Sequence, residues 1–151
     1  MRPPLIVVGP DVPKNKKTDI DVYLQDIMVT SLDLAGIPKP EYVEFNSLLP
    51  IVRGNQKHGN YDAVYGAYMD LQRMIRADGY KLIVYPEAGI TLLYDMDKDP
   101  LEMNDLSGDE NYQEIKAELF KKLLDLQVEM ADSLDLRKTF PDLYEALNRN
   151  L

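Results

Sequence analysis

The sequence predicts an α+β protein in which a terminal βα piece precedes a small four-stranded antiparallel sheet packed on a long C-terminal helix. Three observations predict it. Residues 5–8 form a continuous apolar run bounded by prolines and glycine, the pattern of a strand buried on both faces. Residues 64–94 break into four short runs rich in β-branched and aromatic side chains, with turn chemistry between them. Residues 109–131 repeat apolar side chains at helical spacing.

With 151 residues, 45% of them hydrophobic, the chain has material for a real core. The organisation expected is a first part over residues 1–60 (strand, helix and connection) and a second over residues 61–151. In the first part, Asp19 or Asp21 caps a helix running to about Ala35, with Ile20, Leu24, Ile27 and Leu34 on one face. Gly36 and Pro38 stop it. Residues 37–61 carry three prolines, two glycines and little periodicity, so they read as a long connection. The strand at 5–8 is an orphan, because a βα half-unit needs parallel neighbours and no other run in the sequence supplies them. They come from another chain or from a further part of the same protein.

In the second part, strands are expected at 64–68, 71–77, 80–85 and 90–94. Asp78-Gly79 suits a type I′ hairpin, whose central residues both need positive φ, and residues 86–89 make the next turn. The acidic loop at 95–100 leads to a helix over 109–131, with Ile115, Leu119, Leu123, Leu126 and Met130 on its buried stripe and Ser107 and Glu110 at capping-box spacing. A short helix follows Pro141.

Charge narrows the partners. The chain carries 26 acidic and 17 basic residues, a formal −9, which argues against nucleic acid. Lys14, Lys16 and Lys17 are the one tight basic cluster. Without cysteine there is no disulfide, thiolate nucleophile or sulfur-ligated metal, and no redox mark of compartment. The four-residue apolar core near the N-terminus is too short for a signal peptide's hydrophobic region, and no later run is expected to span a membrane.

Four segments in this order resemble the end of the formylglycine-dependent sulfatases of the alkaline phosphatase superfamily. Arg2-Pro3-Pro4-Leu5-Ile6 is similar to that family's Arg-x-Pro-Leu-Ile strand. Asp26-Ile27-Met28-Val29-Thr30-Ser31-Leu32-Asp33-Leu34-Ala35-Gly36 resembles its Asp-Ile-x-Pro-Thr helix, with Val29 in place of proline. Residues 76–85 look like its basic residue, turn and Tyr-Lys-Leu-Ile strand. Leu93-Tyr94-Asp95-Met96-Asp97-Lys98-Asp99-Pro100-Leu101-Glu102-Met103-Asn104-Asp105-Leu106 matches the most specific stretch, except that Asp105 is inserted before Leu106.

The resemblance implies that residues 1–60 are the end of the large sulfatase domain and residues 61–151 the small C-terminal subdomain. It also implies a parent enzyme that hydrolyses a sulfate ester of a small molecule or sugar with formylglycine and calcium, often in the periplasm or secreted. Formylglycine is made within a Cys/Ser-x-Pro-x-Arg motif, and none of Ser31, Ser47, Ser107 or Ser133 is followed by that pattern. The family's paired Asp-Asp calcium ligands are missing too. Hence no catalytic residue, metal ligand or cofactor is assigned within these residues. The partners expected are the N-terminal sulfatase portion or a second copy; the alternative function is a non-catalytic binding or assembly module.

Two candidate sites remain. Asp95, Asp97 and Asp99 alternate like the opening of a calcium loop, but Pro100 and Leu106 stand where the EF-hand pattern needs glycine and glutamate, so a structural turn is expected. His58, the sole histidine, lies in a polar loop. It reads as a surface loop histidine, and the resemblance adds a second role for it, with Tyr68, Gln72 and Arg73, in contacting the alcohol part of the ester; an Arg fork suits a sulfate or carboxylate. Asp125 with Glu129 and Asp132 with Asp135 read as the solvated face of the long helix.

Overall fold

The computed structural model describes residues 4–149, so Arg2 and Pro3 of the first motif lie outside the described residues. The chain forms two compact units, Met1–Asp62 and Ala63–Leu151.

In the first unit, residues 5–8 form no strand among the described residues, and Ile6 and Val8 are 85% and 91% exposed. A ladder needs neighbours, and the sequence reading expected none for this run within the chain itself. Helix α1 spans Asp26–Leu34, later than expected: neither Asp19 nor Asp21 caps it, Gln25 at the N-cap makes no side-chain cap hydrogen bond, and the Asp26 carboxylate accepts the Tyr23 amide ahead of the helix at 2.9 Å. Its buried side is Asp26 and Val29, whereas Leu24, Ile27 and Leu34 face out, reversing the expected face. Gly36, at φ 67°, ends it. Within the connection, α2 (Leu49–Val52) forms a single turn behind the buried Leu48.

The second unit is a meander of β1 (Val64–Tyr68), β2 (Gln72–Ala77), β3 (Tyr80–Tyr85) and β4 (Ile90–Asp95), antiparallel in chain order. Asp78 and Gly79 sit at φ 52° and 78°, as the type I′ turn requires. Registers Ile75↔Leu82 and Leu82↔Leu93 align one face of the sheet. That face packs on α3 (Gln113–Glu129) through Leu119, Phe120, Leu123 and Leu124, and is closed by Leu136 and Phe140. Each such side chain contributes about 1.5–3 kcal/mol on full burial. Two short helices follow, α4 (Leu136–Thr139) and α5 (Pro141–Arg149).

The start and end of α3 differ from the sequence reading. Ser107 does not cap it; its hydroxyl donates to Asp105 at 2.8 Å. Asp109 instead accepts the Asn111 amide at 2.9 Å and opens a 3-10 turn, Glu110–Tyr112, ahead of the α-helix. At the far end Ala131 takes φ 52°, and the Asp132 amide donates back to the Gln127 carbonyl at 2.8 Å, the hydrogen bond of a Schellman closure. Met130 is 40% exposed, so the apolar stripe stops short of it.

Candidate functional site

Alternation along β2 buries Arg73, Ile75 and Ala77 on the helix-facing side. An arginine there needs an acceptor, since burying an unpaired charge is costly. Asp132, delivered by the turn after α3, supplies it. Its carboxylate accepts Nη2 of Arg73 at 2.9 Å, Nε2 of Gln127 at 3.0 Å and the Leu134 amide at 3.2 Å, together with Nε of Arg73 and the Tyr65 hydroxyl. The Arg73 guanidinium holds Asp132 well below the usual carboxylate range. Burial, then the Asp132 carboxylate, pushes the Tyr65 phenol up. The network is therefore an ion pair flanked by a neutral phenol and an amide.

The same guanidinium donates through Nη1 to the carbonyls of Met69 and, at 2.9 Å, of Gln72. Met69 has φ 47° and lies in the β1–β2 connection, so Arg73 clamps the hairpin tip from beneath. Two of the proposed contact residues stand on that tip. Tyr68 and Gln72 are register partners, Tyr68 61% exposed and Gln72 half-buried. Arg73 does not stand with them: it is 4% exposed and its fork is turned to Asp132. Asp132 likewise leaves the solvated helix face to which the sequence assigned it.

His58 belongs to the first unit, where it is exposed and its Nδ1 lies 3.1 Å from the Gly59 carbonyl. That unit is centred on Asp26, which is fully buried and accepts the Tyr23 amide at 2.9 Å, the Asn46 amide at 3.2 Å and the Tyr61 hydroxyl. Burial first, then the Asp26 hydrogen bond, pushes the Tyr61 phenol up to about 12. Thr30, one turn on, accepts the Leu48 amide at 2.8 Å. The Asp and Thr of the Asp-Ile-x-x-Thr segment thus hold the connection against α1. A cleft of about 280 Å³ beside them is lined by Val29, Asp33, Ile37, Lys39 and Ser47, among others, and its polar groups pair locally: Ser47 with Asp33, Lys39 with the Phe45 carbonyl.

The acidic loop is a turn held by its own carboxylates. Asp95 accepts the Asp97 and Lys98 amides at 3.2 and 3.0 Å and the Lys98 ammonium at 2.8 Å; Asp99 accepts the Asn104 amide at 2.7 Å. Oxygens so engaged, one of them by a cation, do not fit calcium, which wants several free carboxylate and carbonyl oxygens converging on one point. Glu102 pairs with Lys81 at 2.7 Å. Asp105, the inserted residue, accepts the Leu93 amide at 2.9 Å and fastens the loop to β4.

Sequence reasoning missed Tyr65, Gln127 and Asp132 because no local pattern joins β1, β2 and the end of α3. The signal available was Arg73 itself, a cation in phase with Ile75 and Ala77.

A short four-stranded antiparallel meander packed on one long helix is the fold of a sulfatase C-terminal region. Residues 1–129 match the family described as N-sulphoglucosamine sulphohydrolase, C-terminal, and the chain belongs to that family. It is 35% identical over 132 residues to a Delta 4,5-hexuronate-2-O-sulfatase of Bacteroides thetaiotaomicron, covering 81% of this chain and 27% of that protein. Among solved structures, a 2-O GAG sulfatase superposes with TM-score 0.68 at 33% identity, over 82% of this chain and 29% of the other. A second, solved with its substrate D-glucosamine-2-N,6-O-disulfate, gives TM-score 0.62 at 27% identity, over 74% and 25%. The chain therefore spans between a quarter and a third of the length of these three proteins. It corresponds to the C-terminal portion of a sulfatase, and these 151 residues contain neither the formylglycine motif nor the paired calcium aspartates.

Proposed function

We propose that the chain is the substrate-bordering C-terminal lobe of an enzyme that hydrolyses a sulfate ester on a sugar. The family match over residues 1–129 carries the reading, and the sulfated sugars named for the similar proteins supply the substrate class. Formylglycine and calcium belong to the N-terminal portion of such an enzyme and would supply the nucleophile and its activation there. The contribution of this chain is contact with the sugar through Tyr68 and Gln72 on the hairpin tip and through His58. Arg73 and Asp132 hold the tip in place without touching substrate.

The exposed apolar side chains of residues 5–8 and of α1 favour an N-terminal sulfatase portion as the partner that covers them, and self-association as the second reading. Replacing the C-terminal region of the hexuronate sulfatase by this chain tests the proposal. The chimera should release sulfate from a sulfated disaccharide in the presence of calcium, while the chain alone should release none. A folded, formylglycine-bearing chimera without activity, or sulfate release by the mass-verified chain alone, would refute it. A chain that is a stable dimer in solution and fails to complement would favour the assembly module.

A further inference from the structure

The three lysines at 14, 16 and 17 stand alone in the sequence, but the fold gives them company. Three contacts lay residues 13–23 alongside residues 54–61. A Cβ at Gly54 would lie 4.0 Å from the Pro13 ring; one at Gly59 would lie 3.4 Å from the Asp21 carbonyl and 3.6 Å from Ile20; and the rings of Tyr23 and Tyr61 meet edge-on at 4.8 Å. The first contact puts Pro13, next to Lys14 in the chain, against Gly54, next to Arg53. Across residues 12–18 and 53–57 there are five exposed cations and no carboxylate. Lys17 has an exposed ion pair with Asp19 at 3.8 Å; Lys14, Lys16, Arg53 and Lys57 have no ion pair among the described residues. Asp11, Asp19 and Asp21 border the patch at its ends.

Charge is distributed unequally between the two units. Residues 1–62 hold seven cationic and eight anionic side chains, residues 63–151 ten and eighteen. An anionic ligand approaching this protein is repelled by the second unit and meets its densest positive charge at these two loops. The loops also present amides: Asn15 sits at φ 55° on the lysine loop, and Asn55 is exposed beside Arg53. Side-chain amides and cations together suit hydroxyl and sulfate groups of a carbohydrate better than a bare charge surface would.

We propose that the paired loops at 12–18 and 53–57 form a binding surface for an extended sulfated oligosaccharide, engaging sugar residues of the substrate chain apart from the one whose ester is cleaved. The ligand class rests on the sulfatase reading; the location rests on the loop contacts and the charge distribution. The surface lengthens the recognised substrate from a single sulfated sugar to an oligomer.

The test is equilibrium binding of a sulfated heparin hexasaccharide to the 151-residue chain by isothermal titration at low and at physiological salt. Saturable binding that weakens with salt is expected, because the cations displace counterions from the polyanion. The triple variant Lys14→Gln, Lys16→Gln, Lys17→Gln and the double variant Arg53→Gln, Lys57→Gln should each weaken it about tenfold or more. Lysine-to-arginine changes at 14, 16 and 17 should preserve it. Neutralising Lys121 and Lys138 on the second unit should leave it within twofold, which separates a local surface from net charge. Absence of binding, equal loss in the Lys121/Lys138 control, or no loss in both loop variants overturns the proposal. The sulfatase reading is judged separately by sulfate release in the chimera. An active chimera on a monosaccharide sulfate with no hexasaccharide binding at the loops sinks this surface alone; loop binding with an inactive chimera sinks the enzyme reading alone.

Discussion

Replacing Asp132 by alanine removes the acceptor for Arg73, Tyr65, Gln127 and the Leu134 amide at once. The Arg73 side chain is 5% exposed and that of Asp132 13%, so the substitution leaves a guanidinium in a pocket with almost no access to water. Breaking a buried pair by deleting one partner costs about 3–5 kcal/mol. The 13% exposure of the carboxylate edge puts the expected value near the lower end, about 3 kcal/mol. With a urea dependence of about 2 kcal/mol/M, that is a fall in the unfolding midpoint of about 1.5 M, read by circular dichroism at pH 7. Replacing Arg73 by methionine in the same chain should recover part of the loss, because the stranded charge is then gone. The pH dependence has a fixed sign. Arg73 depresses the folded-state pKa of Asp132, so its stabilisation is present above the unfolded carboxylate value of about 3.9 and is lost as pH falls through the lower folded value. The gap between the parent chain and Asp132→Asn should accordingly be steady from pH 5 to 8 and close only in strong acid. A midpoint for Asp132→Ala within about 0.3 M of the parent would refute the clamp, since an ordinary surface carboxylate costs no more than that.

Three further outcomes are expected. Tyr61→Phe should destabilise the first unit by about 1–3 kcal/mol, because Asp26 loses a donor while buried; in the parent, the raised phenol makes stability fall as pH climbs from about 10 to about 12, and the variant should lack that fall in an alkaline urea series. Gly79→Ala should cost about 1–3 kcal/mol by thermal unfolding, because φ is 78° and the new Cβ would sit 2.8 Å from the Asp97 carboxylate. In the active chimera, Tyr68→Ala and Gln72→Ala should raise KM for a sulfated disaccharide several-fold with kcat little changed, the mark of contacts made equally in ground and transition states; a drop in kcat alone would reject that role.

The second unit was legible in the sequence wherever structure is local. Alternation and turn residues placed four strands to within a residue or so, since Asp-Gly and Pro-to-Gly stops carry backbone requirements that neighbours cannot override. The fold was illegible wherever a residue's meaning comes from a distant partner. Asp132 has the look of a solvated carboxylate until β2 brings Arg73 to it, 59 residues earlier in the chain. Asp26 stands at the head of an amphipathic pattern, yet it is the buried side of α1, because three donors from Tyr23, Asn46 and Tyr61 converge on it. The apolar run at 5–8 is the complementary case: composition announces burial, but a ladder forms only where a neighbour is there to pair with, and this sequence supplies none. Of the four candidate contact residues, Arg73 was chosen for its fork, and the fork is real but aimed inward.

The family-like segments hold the structure together more than they mark its chemistry. In the Asp-Ile-x-x-Thr helix, Asp26 and Thr30 both take amides from the connection, and Val29 at the usual proline position is buried with both bonds in place. In the acidic stretch that begins at the end of β4, Asp95, Asp99 and Asp105 each accept a backbone amide, and these bonds fold the loop against the sheet. Carboxylates recur there because a short aspartate can reach an amide two to five residues on, or across to a neighbouring strand, where a longer side chain loses more entropy. The inserted Asp105 fits this logic. Its bond to the Leu93 amide, beside the Leu106-to-Leu93 hydrogen bond at 2.8 Å, extends the edge of β4 by one more fixed contact. A motif used this way constrains side-chain length and hydrogen-bond geometry, so it can persist in residues that carry none of the reaction.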